Sequence, residues 1–321
     1  MRRLPWLLLI VGSVVAAQVN TPTFTSQSNV VLVPVLVRDQ NRSPVYGLAA
    51  GDFIVEDNGI PQETRLEEED QAQPISLLIA IQVGRRARRE FTRIRNLGTM
   101  LEPVLKQPQT EAAVLAFDHS LEVVQDFTQD DEAIQASLKN LQSGDNGAAI
   151  LHAVQYGVRL LNKRREGRQR VLLLVSETRD HGSRFARIED VVSLIGDSGA
   201  TVYSLSFSPS ASNALDTARG TNRDEMRPTA DVLAVAQLAV QAMRKNTPKA
   251  LADQTGGEYE LFETSKEFES HMTDFTNHLH SRYLLSFAPK DPQAGLHLLR
   301  VQLRDPAKGT VLARSSYWAG K

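Results

Sequence analysis

Cysteine is absent from this chain of 321 residues, and the formal net charge is only −2. The lack of cysteine excludes disulfides, thiol chemistry and cysteine-bound zinc, so stability has to come from packing. The small net charge excludes the broad basic field that favours nucleic acid. Beyond the N-terminus, no segment is apolar and long enough to span a bilayer. Hydrophobic residues make up 41% of the chain, which is enough for a sizeable core.

The N-terminus has the layout of a secretory signal peptide. Arg2 and Arg3 precede an apolar run over residues 4–15, and small residues then precede Gln18 as at a signal-peptidase cleavage site. We therefore expect residues 1–17 to be removed and the mature protein to be periplasmic or extracellular. The pattern leaves an uncleaved N-terminal anchor open as the alternative.

Residues 73–262 alternate between strand and helix patterns. Ile75–Ile81 and Val171–Val175 are continuous apolar runs, which are typical of strands covered on both faces. Residues 151–161 carry apolar side chains on one helical face. This order predicts an α/β, Rossmann-like fold with a mostly parallel sheet wrapped by helices. A polar stretch at about 208–228 is interpreted as a loop insertion.

The two flanking regions, 18–72 and 263–321, are predicted to be rich in β-strands. Pro34 favours an edge position or a bulge for the first strand, and Asn58 begins an Asn-Gly hairpin turn. One linking helix precedes the C-terminal strands, of which the last is predicted at Thr310–Trp318. Neither region is large enough to be a stable sandwich alone. We expect the two to pair in one small β-sandwich into which the α/β domain is inserted.

Residues with catalytic potential do not form a convincing set. Asp118, His119 and Ser120 are adjacent in a predicted hairpin turn, and a catalytic triad needs such groups to converge in space. His152 falls on a polar helix face and is interpreted as solvated, and His278 is interpreted as part of a solvated basic turn at a helix end. No G-x-S-x-G elbow and no phosphate-binding glycine loop is present. We therefore expect no enzymatic activity.

Several short motifs occur in one order over nearly all of residues 20–319: "VPVLVRDQNRSPVYGLAAGDFIVEDNGIPQ", "LADQTGGEYE" and "SRYLLSFAP…LHLLRVQLRD…ARSSYWA". With them, the middle region resembles a von Willebrand factor type A domain. The mature chain resembles the VWFA-related proteins that bacteria export, first described from acidobacteria. The resemblance implies a divalent cation at the top of the sheet, where an acidic group of a partner protein completes the coordination.

The resemblance implies cation ligands from an Asp-x-Ser-x-Ser loop after the first strand of the sheet, a Thr in a second loop and an Asp in a third. The corresponding residues here are Gln82, Gly84, Arg86, Ala148 and Glu177. One of these five positions keeps a carboxylate, and one has become an arginine, which has no acceptor and stays protonated. We therefore expect a degenerate metal-ion-dependent adhesion site that holds no Mg²⁺ in the usual way.

The arginines in the first loop leave two interpretations open. In one, Arg85 or Arg86 replaces the cation, either by pairing with Glu177 or Asp180 or by presenting positive charge to an acidic residue of a partner. In the other, the site is inactive and the arginines begin a solvated helix. A metal held by Glu177, Asp180 and waters is a third possibility.

These observations together predict an exported, non-enzymatic, adhesion-type protein-binding module without metal or other cofactor. Its partner is an unidentified protein, with no nucleic acid and no stable membrane span after signal cleavage. The predicted recognition and former metal-site positions are Gln82, Gly84, Arg85, Arg86, Asn146, Ala148, Glu177 and Asp180. The alternative is a structural or assembly component of the cell envelope that acts through the β-sandwich and the loop insertion. A cation-dependent binder and a hydrolase are the remaining alternatives.

Overall fold

A computed structural model describes residues 30–67, 74–207 and 240–319. The predicted signal peptide (1–17) and the predicted loop insertion (about 208–228) lie outside the described residues. Within the described ranges, no helix combines the length and the apolar character needed to cross a membrane.

The secondary structure alternates as the sequence pattern predicts. The strands in the described parts of the chain are β1 (Val31–Arg38), β2 (Phe53–Asp57), β3 (Ile60–Pro61), β4 (Arg65–Glu67), β5 (Ile75–Gln82), β6 (Glu111–Phe117), β7 (Leu121–Thr128), β8 (Gln169–Glu177), β9 (Thr201–Phe207), β10 (Tyr259–Phe262), β11 (Tyr283–Phe287), β12 (Gly295–Leu303), β13 (Thr310–Ala313) and β14 (Ser316–Ala319). The α-helices with both ends described are α1 (Phe91–Ile94), α2 (Leu97–Met100), α3 (Glu102–Leu105), α4 (Asp131–Lys139), α5 (Ile150–Asn162), α6 (Ile188–Asp197), α7 (Thr247–Thr255) and α8 (Ser265–His278).

The α/β region is built on a six-stranded sheet in the order β10-β9-β8-β5-β6-β7. Its strand pairs are parallel except for β6 and β7, which form the predicted antiparallel hairpin. Every residue of β5 is buried because hydrophobic cores cover both faces of the sheet. Leu77 and Ile79 belong to the core on one face, and Leu78 and Ala80 to the core on the other. The predicted α/β fold class is confirmed.

Apolar residues recur at helical spacing over residues 91–105, and they are buried but do not lie on one continuous helix. The segment consists of three short turns, α1 to α3. Pro103, in the first turn of α3, has no backbone N–H, so it cannot continue the hydrogen-bond ladder from α2. The apolar side chains still face the core because short turns keep nearly the same helical spacing.

Both ends of the described chain contribute strands to two further four-stranded sheets. One has the order β13-β1-β11-β4 and the other β14-β12-β2-β3. Apolar side chains from both sheets share one core, which includes Val35, Val55, Leu285 and Leu299. Each sheet therefore mixes N-terminal and C-terminal strands, which is the β-sandwich that the sequence predicts.

Two details of the sandwich differ from the sequence prediction. β1 is an interior strand rather than an edge strand, but Pro34 lies outside its ladder with β13, which begins at Val35. The missing N–H of Pro34 therefore breaks no bond in that ladder. The single last strand predicted at Thr310–Trp318 is wrong, because β13 and β14 belong to different sheets. Between them, the Arg314 guanidinium donates to the Gly196 carbonyl (2.8 Å).

A buried carboxylate joins the sandwich to the α/β region. Glu258 accepts hydrogen bonds from Arg38 of β1 (2.8 Å) and from His278 at the end of α8 (3.0 Å). Burial raises the pKa of Glu258, but the His278 hydrogen bond and the charges of His278, Arg282 and Arg38 outweigh burial and hold the pKa below its ordinary value of 4.5. The prediction of a solvated basic turn is wrong for His278, which is 2% exposed because Glu258 draws it inward.

We expect Glu258→Gln to lower the free energy of unfolding at neutral pH by about 3 kcal/mol, because Arg38 and His278 lose a buried counter-charge. Urea titration followed by circular dichroism measures this change. Folding lowers the pKa of Glu258. The stabilisation of the native state by its carboxylate is therefore present above pH 4.5 and is lost as the pH falls through the folded pKa. The difference between wild type and variant should therefore shrink in acid.

The matched control is Glu102→Gln, which makes the same change in the exposed pair with Lys106. This variant should unfold like the wild type because exposed pairs contribute little. Equal destabilisation by both variants would contradict a special role for Glu258.

Candidate functional site

Three loops meet at the C-terminal edge of the parallel sheet. They are the first loop after β5 (82–86), the second loop before α5 (145–149) and the third loop after β8 (177–183). Backbone hydrogen bonds join them, from Arg85 N to Asp145 O (2.8 Å) and from His181 N to Ala148 O (3.1 Å). The loops therefore form one connected layer over the ends of the strands.

Gln82 and Glu177 bond to each other at the base of this layer. They end the neighbouring strands β5 and β8, which brings their side chains side by side. The Gln82 amide donates to Glu177 Oε1 (2.6 Å), and its Oε1 accepts from the Glu177 backbone N–H (2.9 Å). Both residues are buried, at 0% and 3% exposure. A buried carboxylate needs such partners because an unpaired buried charge costs several kcal/mol.

Two further donors complete the surroundings of the Glu177 carboxylate. His181 Nε2 lies 2.8 Å from Oε1, and Arg86 Nη1 donates to Oε2 at 3.3 Å. The side chain of Arg86 is nevertheless 61% exposed, so most of it stays accessible above the carboxylate. Of the predicted pairings, Arg86 with Glu177 is the one that the structure contains.

The residues at the implied metal position do not fit a hard divalent cation. Such an ion takes oxygen ligands, and Gly84 and Ala148 have no side-chain oxygen. The side-chain oxygens of Gln82 and Glu177 already accept N–H donors, and one donor is the positive Arg86. Among the described residues, no group of three or more His, Asp or Glu side chains is arranged to hold a metal ion.

Asp180 serves a different part of the loop layer. Its Oδ1 accepts from Leu151 N in the first turn of α5 (3.0 Å) and from Ser183 Oγ (2.7 Å). It therefore satisfies a free N–H at a helix N-terminus and holds the third loop. The predicted alternative in which an arginine pairs with Asp180 is not seen among these contacts.

Glycines allow the loops to lie in direct backbone contact. A Cβ on Gly84 would lie 2.5 Å from Gly147 O, and a Cβ on Gly182 would lie 2.8 Å from Ala149 N. Real side chains do not tolerate such distances, so larger residues would force the loops apart. The serine that the resemblance implies at Gly84 therefore has no room here.

An open cleft of about 730 Å³ lies over the loops. We call it the arginine cleft, after its charged and titratable lining residues Arg85, Arg86, Arg184, His119, His181 and Asp145. Three arginines lie against Asp145 in the lining and Glu177 at the base, so positive side chains outnumber these two carboxylates at neutral pH. Of the predicted recognition residues, Arg85, Arg86 and Asn146 are exposed in the cleft. The four buried ones shape its base and are not accessible to a partner: Gln82, Gly84, Ala148 and Glu177.

Asp118, His119 and Ser120 form the turn between β6 and β7, as predicted. The Asp118 carboxylate accepts from the Ser120 N–H (2.7 Å), the Ser120 hydroxyl (2.9 Å) and the Asp145 N–H (2.8 Å). Burial raises the pKa of Asp118, but these hydrogen bonds hold it below its ordinary value. The serine bonds to the aspartate and not to His119. The serine–histidine–aspartate sequence of hydrogen bonds that a catalytic triad needs is therefore not formed.

The sequence prediction of a solvated His152 is wrong. Its ring Nε2 accepts the backbone N–H groups of Phe185 (3.0 Å) and Ala186 (2.8 Å), and its backbone N–H donates to Ser183 Oγ (3.1 Å). His152 therefore fixes the end of the third loop. The cleft residues His181 and Arg184 are not predicted from the sequence, because loop residues carry no periodic pattern that shows where they point.

Residues 82–183 match the family model of the von Willebrand factor type A domain. The match begins in the first loop and ends in the third, so it includes the whole loop layer. This part of the chain is therefore similar to a von Willebrand factor type A domain, and the resemblance seen in the sequence is confirmed at this level. Such domains commonly mediate protein interactions. The narrower likeness to the exported bacterial proteins stays a prediction.

Solved structures with a similar fold have low sequence identity to the chain. The conserved hypothetical protein BatB from Bacteroides thetaiotaomicron is 13% identical, with 64% of this chain and 98% of that chain covered and a TM-score of 0.42. A von Willebrand factor type A protein from Catenulispora acidiphila is 11% identical, with 77% and 49% covered and a TM-score of 0.47. A mussel byssus proximal thread matrix protein with a zinc-occupied adhesion motif is 13% identical. The match covers 72% of this chain and 50% of that chain, with a TM-score of 0.44. A search of curated protein sequences finds no match.

Mg²⁺ should leave the thermal stability of the protein unchanged, because the side chains of Gln82 and Glu177 at the implied metal position bond to each other. We expect melting temperatures in excess MgCl₂ and in EDTA, at matched ionic strength, to agree within about 1 °C. A ligand at ten times its dissociation constant stabilises the native state by about 1.4 kcal/mol. A rise of several degrees with MgCl₂ would therefore show a bound cation and contradict the expectation.

Proposed function

We propose that the chain is an exported, non-enzymatic, protein-binding module of the von Willebrand factor type A kind. It recognises an acidic group of a partner protein at the arginine cleft without a metal ion. The observation that carries the proposal is the position of Arg86, which bonds to the buried Glu177 and remains 61% exposed. A guanidinium held in this way offers a fixed positive charge and several N–H donors to a carboxylate.

The chemistry of the cleft supports this ligand class. Arg85 and Arg184 lie in the same cleft as Arg86, so a partner carboxylate meets several positive groups. Arginine suits this purpose because its planar fork binds both oxygens of a carboxylate and stays protonated. The cleft is open, which suits a protruding segment of a partner better than an enclosed small molecule.

Metal independence and the absence of catalysis are parts of the same proposal. The first is supported by the mutual bonds of Gln82 and Glu177 and by the Arg86 bond to Glu177 Oε2, which give each side-chain oxygen at the implied position an N–H donor. The second is supported by the Ser120 hydroxyl, which donates to Asp118 and not to His119, so the serine–histidine pair of a triad is not formed. Both features favour binding over group transfer.

Export is supported by the sequence. The arginine pair, the apolar run over residues 4–15 and the small residues before Gln18 form a signal-peptide pattern. N-terminal sequencing of the mature protein should therefore begin at Gln18. A mature chain that begins at Met1 would contradict cleavage and favour the anchor alternative.

Reversal of two charges in the arginine cleft tests the recognition proposal. We expect the wild type to bind an immobilised peptide of aspartate and serine in a salt-sensitive manner. The double variant Arg85→Glu, Arg86→Glu should bind at least about tenfold more weakly, because it removes and reverses the charges that face the peptide. Surface plasmon resonance over a series of salt concentrations measures both quantities.

The chain offers a matched control in the same short 3-10 helix, Arg85–Glu90. Arg88 and Arg89 are exposed but do not line the cleft. The variant Arg88→Glu, Arg89→Glu changes the net charge equally and should keep most of the binding. If both double variants lose binding to the same degree, the arginine cleft is not the recognition site. If neither loses it, the envelope-assembly alternative is favoured instead.

A further inference from the structure

Phe185 is a large apolar side chain in the solvent beside the arginine cleft. It follows Arg184 and is 86% exposed. Isolated exposed apolar residues are common on protein surfaces, so exposure alone indicates nothing. Two further observations distinguish Phe185. Hydrogen bonds from its own N–H and from that of Ala186 to His152 fix its backbone, and it adjoins the positive cleft.

The segment that carries Phe185 is held by a side chain of α5. His152 Nε2 accepts the N–H groups of Phe185 (3.0 Å) and Ala186 (2.8 Å). The His152 and Phe185 rings also stack, with centroids 6.1 Å apart and planes inclined by 19°. These contacts place the phenyl ring before any partner arrives. A partner that packs against Phe185 therefore has less conformational entropy to remove from the loop.

The same segment is continuous with the arginine cleft. Ser183 and Arg184 line the cleft directly before Phe185, and Ser183 Oγ donates to Asp180 (2.7 Å). Tyr156 lies one turn after His152 on α5 and is 39% exposed, so it faces the same side of the helix. The apolar surface thus begins where the positive surface ends.

We infer that the arginine cleft and Phe185 form one recognition surface for an acidic protein segment with a large apolar side chain next to its carboxylate. The inference rests on the proposed function and adds the apolar side chain next to the carboxylate as a second feature of the ligand. Charge complementarity assigns the carboxylate to the arginines, and Phe185 offers the adjacent apolar contact. Aromatic and arginine side chains commonly dominate the binding energy of protein interfaces. A nucleic acid fits less well, because the whole chain has a net charge of −2 and the positive surface is confined to one cleft.

Binding of two synthetic peptide pools tests the inference. Both pools consist of fluorescent peptides with the same number of aspartates, and the flanking positions hold either phenylalanine and leucine or serine and glycine. We expect the wild type to bind the apolar pool about tenfold more tightly, as measured by fluorescence anisotropy. Phe185→Ala should remove this preference and keep the affinity for the serine and glycine pool. Phe185→Leu should restore most of the preference.

Tyr46→Ala is the matched control, because Tyr46 is 70% exposed but does not line the cleft. It should keep the full preference. A preference that is absent in the wild type, or that persists in Phe185→Ala, would overturn the inference. Vesicles of phosphatidylglycerol that bind more tightly than either pool, and lose binding in Phe185→Ala, would overturn it in favour of a lipid surface.

The variant Arg85→Glu, Arg86→Glu separates this inference from the proposed function. If this double variant loses binding to both pools while Phe185→Ala keeps the preference for the apolar pool, the inference fails and the proposed function stands. If it binds both pools as well as the wild type, both fail. Circular dichroism of each variant confirms the fold, and all three substituted side chains are exposed.

Discussion

The buried carboxylate of Glu177 is the constraint on which the loop layer depends. A carboxylate at 3% exposure has to be satisfied by donors, and in this chain they are Gln82, His181 and Arg86. The three donors come from the first and third loops, so one charge holds both loops in place. A metal ion would need the oxygens that these donors already occupy. In the proposed function, Arg86 is the positive group at the top of the sheet.

This arrangement changes what the site offers to a partner. A bound cation would present an open coordination position, whereas Arg86 presents N–H donors on an exposed side chain that is fixed at one atom. Arg85 and Arg184 extend the positive surface, and Phe185 borders it with an apolar ring. Recognition would therefore combine charge with shape over a wider area. On this proposal, the surface would keep the position of the site and replace the chemistry that holds its ligand.

Much of the fold follows from local patterns in the sequence. Continuous apolar runs predict β5 and β8, and the helical spacing over residues 151–161 predicts α5, because periodicity records which faces are buried. The sandwich follows from a size argument, since neither end of the chain can bury a core alone. The errors concern contacts between distant segments. His278 lies inside because Glu258 needs a donor, and His152 is engaged because two N–H groups of a distant loop reach it.

The sequence by itself determined the α/β order, the position of the loop layer, and the residues available at the implied metal position. The motif "QVGRR" with Ala148 and Glu177 is the basis of the prediction that a cation lacks its usual ligands, which stays a prediction. Only the tertiary structure decided which arginine meets Glu177 and which side chains line the cleft. The physical reason is that donors and acceptors pair across segments about ninety residues apart, as Gln82 and Glu177 do. Local periodicity records burial, but it carries no information on the direction of loop side chains.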